Sequence, residues 1–311
     1  MLRVFIAGGT GVIGRRVVPA LVKGGYAVTA ATRSDTGAAK LRAMGAESVL
    51  MDLMDAASVR RVMGKPDLVV NLSTHVPASM PAMVFRWAWR ENDRIRRTGS
   101  ANLATAARLA GADCVVQESY APIYADHDDE WIDERWTVAP ARYNRTVLDA
   151  EASVAQFTKF GGRGIVLRFA NFYGPDSFAT SEMIQMVKRG ISPLVGPPDA
   201  YYSSVSHDDA AAAVVEALHL PAGIYNVCDD EPITRAEWLG SLAKAVGAKP
   251  PHMLPSWLTM LGGSTTQLWS RSQRISNRKL RELSEWRPAT PCVRDAWPAL
   301  IEQSSELAAA R

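Results

Sequence analysis

The first fifteen residues constrain the fold of this chain more than any other stretch. Met1-Leu-Arg-Val-Phe-Ile-Ala7 is a nearly continuous apolar run, suited to a strand buried on both faces of a parallel sheet. Gly8-Gly9-Thr10-Gly11-Val12-Ile13-Gly14 follows directly, and then the helical pattern Arg15–Lys23. Strand, glycine turn and helix in that order form a cradle for a phosphate. Glycines let backbone N–H groups approach an anion, and a helix N-terminus adds partial positive charge. The order of the three parts distinguishes this cradle from an ordinary tight turn.

The first half of the chain then alternates strand and helix, which predicts a parallel sheet covered on both faces. Gly24-Gly25 end the first helix, and Tyr26–Thr32 reads as the second strand. Arg33 stands at that strand's end, where an acidic residue would bind ribose hydroxyls and an arginine would meet a 2′-phosphate. The charge therefore favours NADP(H) over NAD(H), the alternative being a solvated surface arginine. Asp52, followed by Leu53, sits just past the third strand. Its carboxylate could accept from an adenine amino group or cap the helix Ala56–Met63. Asp67–Asn71 is the fourth strand. Asn71, Ser73, Thr74 and His75 lie at its carboxyl end, the edge where open α/β sheets bind ligands.

On Gly8-x-x-Gly11-x-x-Gly14, Asp52-Leu53, Asn71-Leu-Ser-Thr74 and Arg168-Phe-Ala-Asn171-Phe-Tyr-Gly-Pro175, the chain resembles the short-chain dehydrogenase/reductase superfamily, in its extended or atypical, epimerase/dehydratase-like branch. Tyr225-Asn226-Val227, Arg274-Ile-Ser-Asn277 and Trp286-Arg-Pro288 extend the similarity over essentially the whole length. The resemblance implies a Rossmann-type, doubly wound parallel sheet of about seven strands. A small, mostly helical substrate lobe would follow, dividing the chain at residues 1–175 and 176–311 with 205–230 returning to the sheet. It implies NADPH held by Gly8, Gly9, Thr10, Gly11, Val12, Ile13, Gly14, Arg33, Asp52, Leu53, Asn71, Ser73 and Asn171. A homodimer is one assembly that the family uses.

In that family a Tyr-x-x-x-Lys pair shares one helix face, and the lysine lowers the phenol pKa. Here Tyr143 is present on a helix expected over Ala141–Phe160, and Val147 stands at the lysine position. An unassisted phenol titrates near pH ~10, so it donates a proton well and removes one poorly. Carbonyl reduction survives that substitution better than alcohol oxidation. Ser119, at the end of the fifth strand, is the residue of the right type to hydrogen-bond a carbonyl. Tyr143 could also be a packing residue, with the donor elsewhere.

Relatives that bind nucleotide-sugars often carry an arginine where this chain has Tyr201-Tyr202, which suggests a flatter, less charged substrate. Thr74, His75, Tyr120, Phe172, Tyr201 and Tyr202 are the candidate substrate contacts. The expected activity is an NADPH-dependent ketoreductase acting on an aromatic or polycyclic small-molecule ketone, as in natural-product tailoring and antibiotic biosynthesis. A nucleotide-sugar epimerase or dehydratase and a catalytically silent NADP(H) sensor are the alternatives.

Composition excludes other classes. The net charge of +3 is spread along the chain, unlike a nucleic-acid footprint. Cys114, Cys228 and Cys292 are an odd, widely spaced set without a CxxC, as expected of reduced thiols in a cytoplasmic setting. Arg3 and the glycines interrupt the opening run, so no signal peptide is expected, and no apolar run of bilayer length occurs. The acidic stretch Asp126–Glu130 lacks the glycine and spacing of a calcium loop and reads as a solvated turn, so no metal is expected.

Overall fold

The computed structural model describes residues 1–77, 79–83, 85–253, 266 and 268–309. Its centre is a parallel sheet of β1 (Arg3–Ala7), β2 (Ala27–Thr32), β3 (Glu47–Leu50), β4 (Leu68–Asn71), β5 (Cys114–Tyr120), β6 (Arg163–Phe169) and β7 (Gly223–Val227). The seven strands lie in the order β7-β6-β5-β4-β1-β2-β3, with every pairing parallel. The chain therefore winds outward in both directions from the β1–β4 pair. That reversal opens a crevice at the carboxyl ends of these two strands.

The apolar run of β1 is explained by its two covered faces. Strand side chains alternate, so Val4 and Ile6 enter one core layer while Phe5 and Ala7 enter the other. The first layer is closed by α1 (Gly14–Lys23), through Val17, Val18 and Leu21, and by the alanine-rich face of the helix His207–Ala217. The second is closed by Val59 and Met63 of helix Ala56–Met63, by Leu103, Ala106 and Ala107 of helix Ser100–Ala110, and by Val154 and Phe157 of α2 (Val147–Lys159). Each fully buried aliphatic or aromatic side chain here contributes roughly 1.5–3 kcal/mol over its exposed state.

A further cluster forms the lobe beyond Pro175. Trp238, Leu239 and Leu242 of α3 (Arg235–Ala245) pack on Met183, Ile184 and Val187 of helix Phe178–Lys188 and on Trp297 of helix Val293–Ala309. The two indoles meet edge to face, with centroids 4.9 Å apart. Thr234 and Glu237 make a reciprocal capping box at the start of α3. Two short ladders lie outside the central sheet. Asn171–Tyr173 runs parallel to Ser204–Ser206, and Tyr201–Tyr202 runs antiparallel to Ile233–Thr234. No helix among the described residues is long and apolar enough to cross a membrane.

One expected helix is shorter. Helix α2 starts at Val147, and Ala141–Thr146 instead makes tight turns, Asn144 N–H bonding Ala141 O and Val147 N–H bonding Asn144 O. Thr146 donates its hydroxyl to Asp93 at 2.8 Å, fixing the turn against the preceding helical segment. Tyr143 and Val147 therefore do not share a helix face, and periodicity could not reveal this because the tie is tertiary.

Candidate active site

The glycine turn is built for close approach. Gly8 has φ +86°, and a Cβ there would lie 2.5 Å from the carbonyl carbon of Leu72 at the end of β4. A Cβ on Gly14 would collide with the Gly8 carbonyl oxygen and the backbone of Gly9. These contacts bring the turn down onto the crevice between β1 and β4, which side chains would hold open. Helix α1 has no side-chain cap and no acidic residue in its first turn. Among the described residues, the amides of Val12, Ile13 and Gly14 have no acceptor, whereas Gly11 N–H bonds Gly8 O and Arg15 N–H bonds Gly11 O. Unsatisfied amides at an uncapped helix start are what a pyrophosphate needs.

Gly11 to Gly14 form one end of a cavity of about 580 Å³. It continues past Thr74, Trp89, Tyr120, Tyr143, Asn171 and Phe172 to the lobe residues Tyr201, Tyr202, Arg235 and Trp269. One space thus connects the turn to the lobe. His207 also lines it, with Nδ1 3.1 Å from Asp176, a carboxylate shared with Arg15 and Arg16 of α1. Burial works against ionisation of Asp176, but the hydrogen bonds from His207 and Arg16 hold its carboxyl far below the usual range.

Several residues expected at the coenzyme lie outside this cavity. Arg33 is exposed past the end of β2, 3.5 Å from Glu91. Asp52 does not cap the helix Ala56–Met63: Asp55 does, by accepting from Ala57 N–H, while Asp52 accepts from Met54 N–H. Leu53 packs in the core against Gly99. Asn71 is a buried cross-link, donating to Ser100 and Gln117 and accepting from Ser73 N–H. His75, expected as a substrate contact, is exposed and outside the described lining, its backbone amide bonded to Asn92.

Ser119 corrects an expectation. Alternation along β5 points Glu118 and Tyr120 into the cavity and turns Ser119 away from it. Its hydroxyl donates to Glu151 at 2.5 Å, and Glu151 takes both Nε and Nη2 of buried Arg168. Ser119 is therefore part of a buried polar network behind the sheet and cannot reach a carbonyl in the cavity.

Three phenols converge instead. Tyr120 donates to Asn171 Oδ1 at 3.1 Å, and Asn171 in turn donates to Ser203 O. Tyr202 packs edge-on against Trp238. Tyr143 lies against Trp89, ring centroids 4.9 Å apart, and its oxygen accepts the indole N–H of Trp269 at 3.2 Å. Among the described residues the Tyr143 hydroxyl proton has no acceptor, whereas that of Tyr120 is committed. Burial pushes Tyr143 up to about 12, against smaller opposing effects of Trp269, Arg96 and Arg271. Burial likewise moves Tyr202 to about 12 and Tyr120 well above its ordinary value. All three are neutral phenols at neutral pH. No lysine lines the cavity among the described residues, and Val147 is fully buried away from it.

The sequence did not single out Arg96, Glu118, Asn144 or Arg235 as site residues, yet all line the cavity, as does Trp269. Arg96 lies in the π-helical turn Ile95–Gly99 and pairs with Glu118 at 3.1 Å. It shares the buried face with Asn92, Ile95 and Leu103, a helical spacing that could have revealed it. Arg235 carried a different signal: a cation in a helix's first turn opposes the macrodipole, so the position needs another reason.

Residues 4–228 match the model of the NAD dependent epimerase/dehydratase family. The chain is 32% identical to the 3-diazoavenalumate denitrifying reductase of a Streptomyces species, over 94% of this chain and 98% of that protein. It is 27% identical to the 4-hydroxy-2-methyl-3-oxo-4-farnesyl-3,4-dihydroquinoline-1-oxide ketoreductase of Stigmatella aurantiaca, over 80% and 74% of the two chains. In fold it matches the Thermus thermophilus UDP-glucose 4-epimerase, crystallised with NAD, at TM-score 0.77 and 23% identity, covering 97% of this chain and 99% of that one.

Proposed function

This chain belongs to the NAD dependent epimerase/dehydratase family and is an NAD(P)-dependent oxidoreductase; from that premise we propose that it is an NADPH-dependent reductase of an aromatic carbonyl compound, with Tyr143 as proton donor. The observation that carries this reading is the hydroxyl proton of Tyr143, which has no acceptor among the described residues and sits on a buried phenol in a cavity whose described lining holds no lysine.

Bound NADPH would supply the hydride. Gly8, Gly11 and Gly14 allow its pyrophosphate to approach, the amides of Val12 to Gly14 would donate to it, and Arg33 would meet the 2′-phosphate. Tyr143 would donate to the carbonyl oxygen as negative charge develops there. The Trp269 N–H, already bonded to the phenol oxygen, would stabilise the phenolate formed. Tyr120 and Asn171 would fix the opposite wall, and Phe172, Tyr201, Tyr202 and Trp89 would supply flat apolar contact. Thr74 also lines the cavity. A phenol pushed up to about 12 is a poor base, which counts against epimerisation or dehydration beginning with alcohol oxidation.

The relative of 32% identity favours a second reading, reductive loss of dinitrogen from an arenediazonium group. Its balance, Ar–N₂⁺ plus hydride giving Ar–H plus N₂, needs no proton from the enzyme. A described cavity lining without a lysine is compatible with it. NADPH oxidation with an aryl ketone, a quinone and an arenediazonium salt tests both. Consumption with carbonyls and its loss in Tyr143→Phe support the first reading. Turnover of the diazonium alone, with nitrogen release unaffected by Tyr143→Phe, would replace it with the second. NADPH binding without turnover of any acceptor would point to a sensor.

A further inference from the structure

We propose that the lobe end of the cavity is a carboxylate site, and that the substrate is an aromatic acid whose anion is received by Arg235. The reaction at Tyr143 rests on the reductase reading; the binding at Arg235 is tested independently of it.

Arg235 is the first residue of α3, is 1% exposed and lines the cavity. Its Nη2 donates to the carbonyls of Trp269 and Arg271, at 2.7 and 2.6 Å. Its Nε and Nη1 are buried and have no partner among the described residues. No ion pair reaches it there either: Asp126 and Asp199 act on it only through space. A buried guanidinium without a counter-ion is unfavourable. The arginine is not repaid locally, because its place in the first turn sets it against the helix dipole. Burial lowers its pKa to about 10, which leaves it charged at neutral pH.

The surroundings define the ligand. Glu118 is the one carboxylate among the described cavity residues, and Arg96 occupies it. Arg271 directs Nη1 to the carbonyls of Tyr124 and Ala139, adding positive charge without a bound anion. Asn144, 2% exposed, also lines the cavity with both side-chain polar atoms unpartnered. Tyr202 and Trp269 border the same end, the Tyr202 ring 6.0 Å from the Arg235 guanidinium carbon. A phosphate with nearly two charges would call for more free donors, whereas a planar monoanion on an aromatic frame matches one cation among rings. Trp269 also sets the spacing, since its indole N–H holds Tyr143 and its carbonyl holds Arg235. An arene with the carboxylate at one end and the reducible group at the other would span that separation.

The test is a titration of the NADP⁺-loaded protein, followed by calorimetry and tryptophan fluorescence. The probes are biphenyl-4-carboxylate, biphenyl-4-carboxamide and inorganic phosphate. The carboxylate is expected to bind ~10-fold or more tightly than the amide, with phosphate unable to displace it. Arg235→Met should bring the carboxylate to the amide's affinity, and Arg235→Lys should keep part of the preference, both with NADP⁺ affinity unchanged. Should Arg235→Met fail to fold, the wild-type comparison and Arg235→Lys decide. Equal binding of carboxylate and amide, a preference that persists in Arg235→Met, or displacement by phosphate would overturn the proposal. Carboxylate binding without any NADPH consumption would leave the site standing and remove the reductase reading.

Discussion

Tyr143→Phe should separate catalysis from packing at one atom. The substitution keeps the ring against Trp89 and deletes only the hydroxyl, whose proton has no acceptor among the described residues. Loss of a positioned proton donor typically slows a reaction ~10²- to 10⁴-fold, a barrier increase of roughly 3–5 kcal/mol. The structural cost is smaller. The Trp269 N–H loses an acceptor at 3.2 Å inside an aromatic cluster, for about 1–3 kcal/mol, the low end being expected for so long a bond. In a chain of this size that corresponds to a melting shift of a few degrees. Single-turnover reduction of an aryl ketone, with calorimetric melting and an NADPH titration on the same samples, reads all three quantities. The expected result is at least a hundredfold loss of rate, a modest melting shift and unchanged NADPH affinity. Tyr120→Phe, whose proton already goes to Asn171, should cost less than ~10-fold. A Tyr143→Phe rate within twofold of wild type would refute the assignment.

The remaining predictions concern the coenzyme, pH and the buried networks. Arg33→Ala should weaken NADPH ~10-fold or more while sparing NADH, measured by paired titrations; equal losses would deny the 2′-phosphate role. Gly14→Ala should greatly reduce coenzyme affinity or stability, because its Cβ would meet the Gly8 carbonyl oxygen. With Tyr143 pushed up to about 12 from an ordinary 10, the folded state favours the neutral phenol. Its contribution to stability is therefore complete below pH ~10 and is lost as pH rises toward 12, which urea titrations at stepped alkaline pH would read. Glu151→Ala would leave Arg168 buried without its partner and should destabilise the fold by about 3–5 kcal/mol in chemical denaturation. Asp209, 3% exposed, accepts from the amides of Ala289 and Thr290, so Asp209→Ala should cost about 1–3 kcal/mol.

The sequence by itself determined the sheet and the glycine turn, because both depend on local patterns. The double-faced burial of β1 is written as an unbroken apolar run, and the turn onto Leu72 is written as glycines at fixed spacing. The chemistry opposite the cradle was decided only by tertiary structure. Ser119 and Tyr120 are neighbours in sequence, but the pleat of β5 sends one behind the sheet to Glu151 and the other into the cavity. Tyr143 left its expected helix because Thr146 is tied to Asp93, 53 residues away in sequence. Its oxygen accepts the indole N–H of Trp269, from the far end of the chain, and among the described residues its proton has no acceptor. Arg235 stands beside a helix cap in the sequence, and only folding buries it among carbonyls and rings, with two nitrogens unpartnered among the described residues. Strand and turn are set by residues a few places apart. The hydrogen bonds around Tyr143 and Arg235 join residues that only the closed fold brings together.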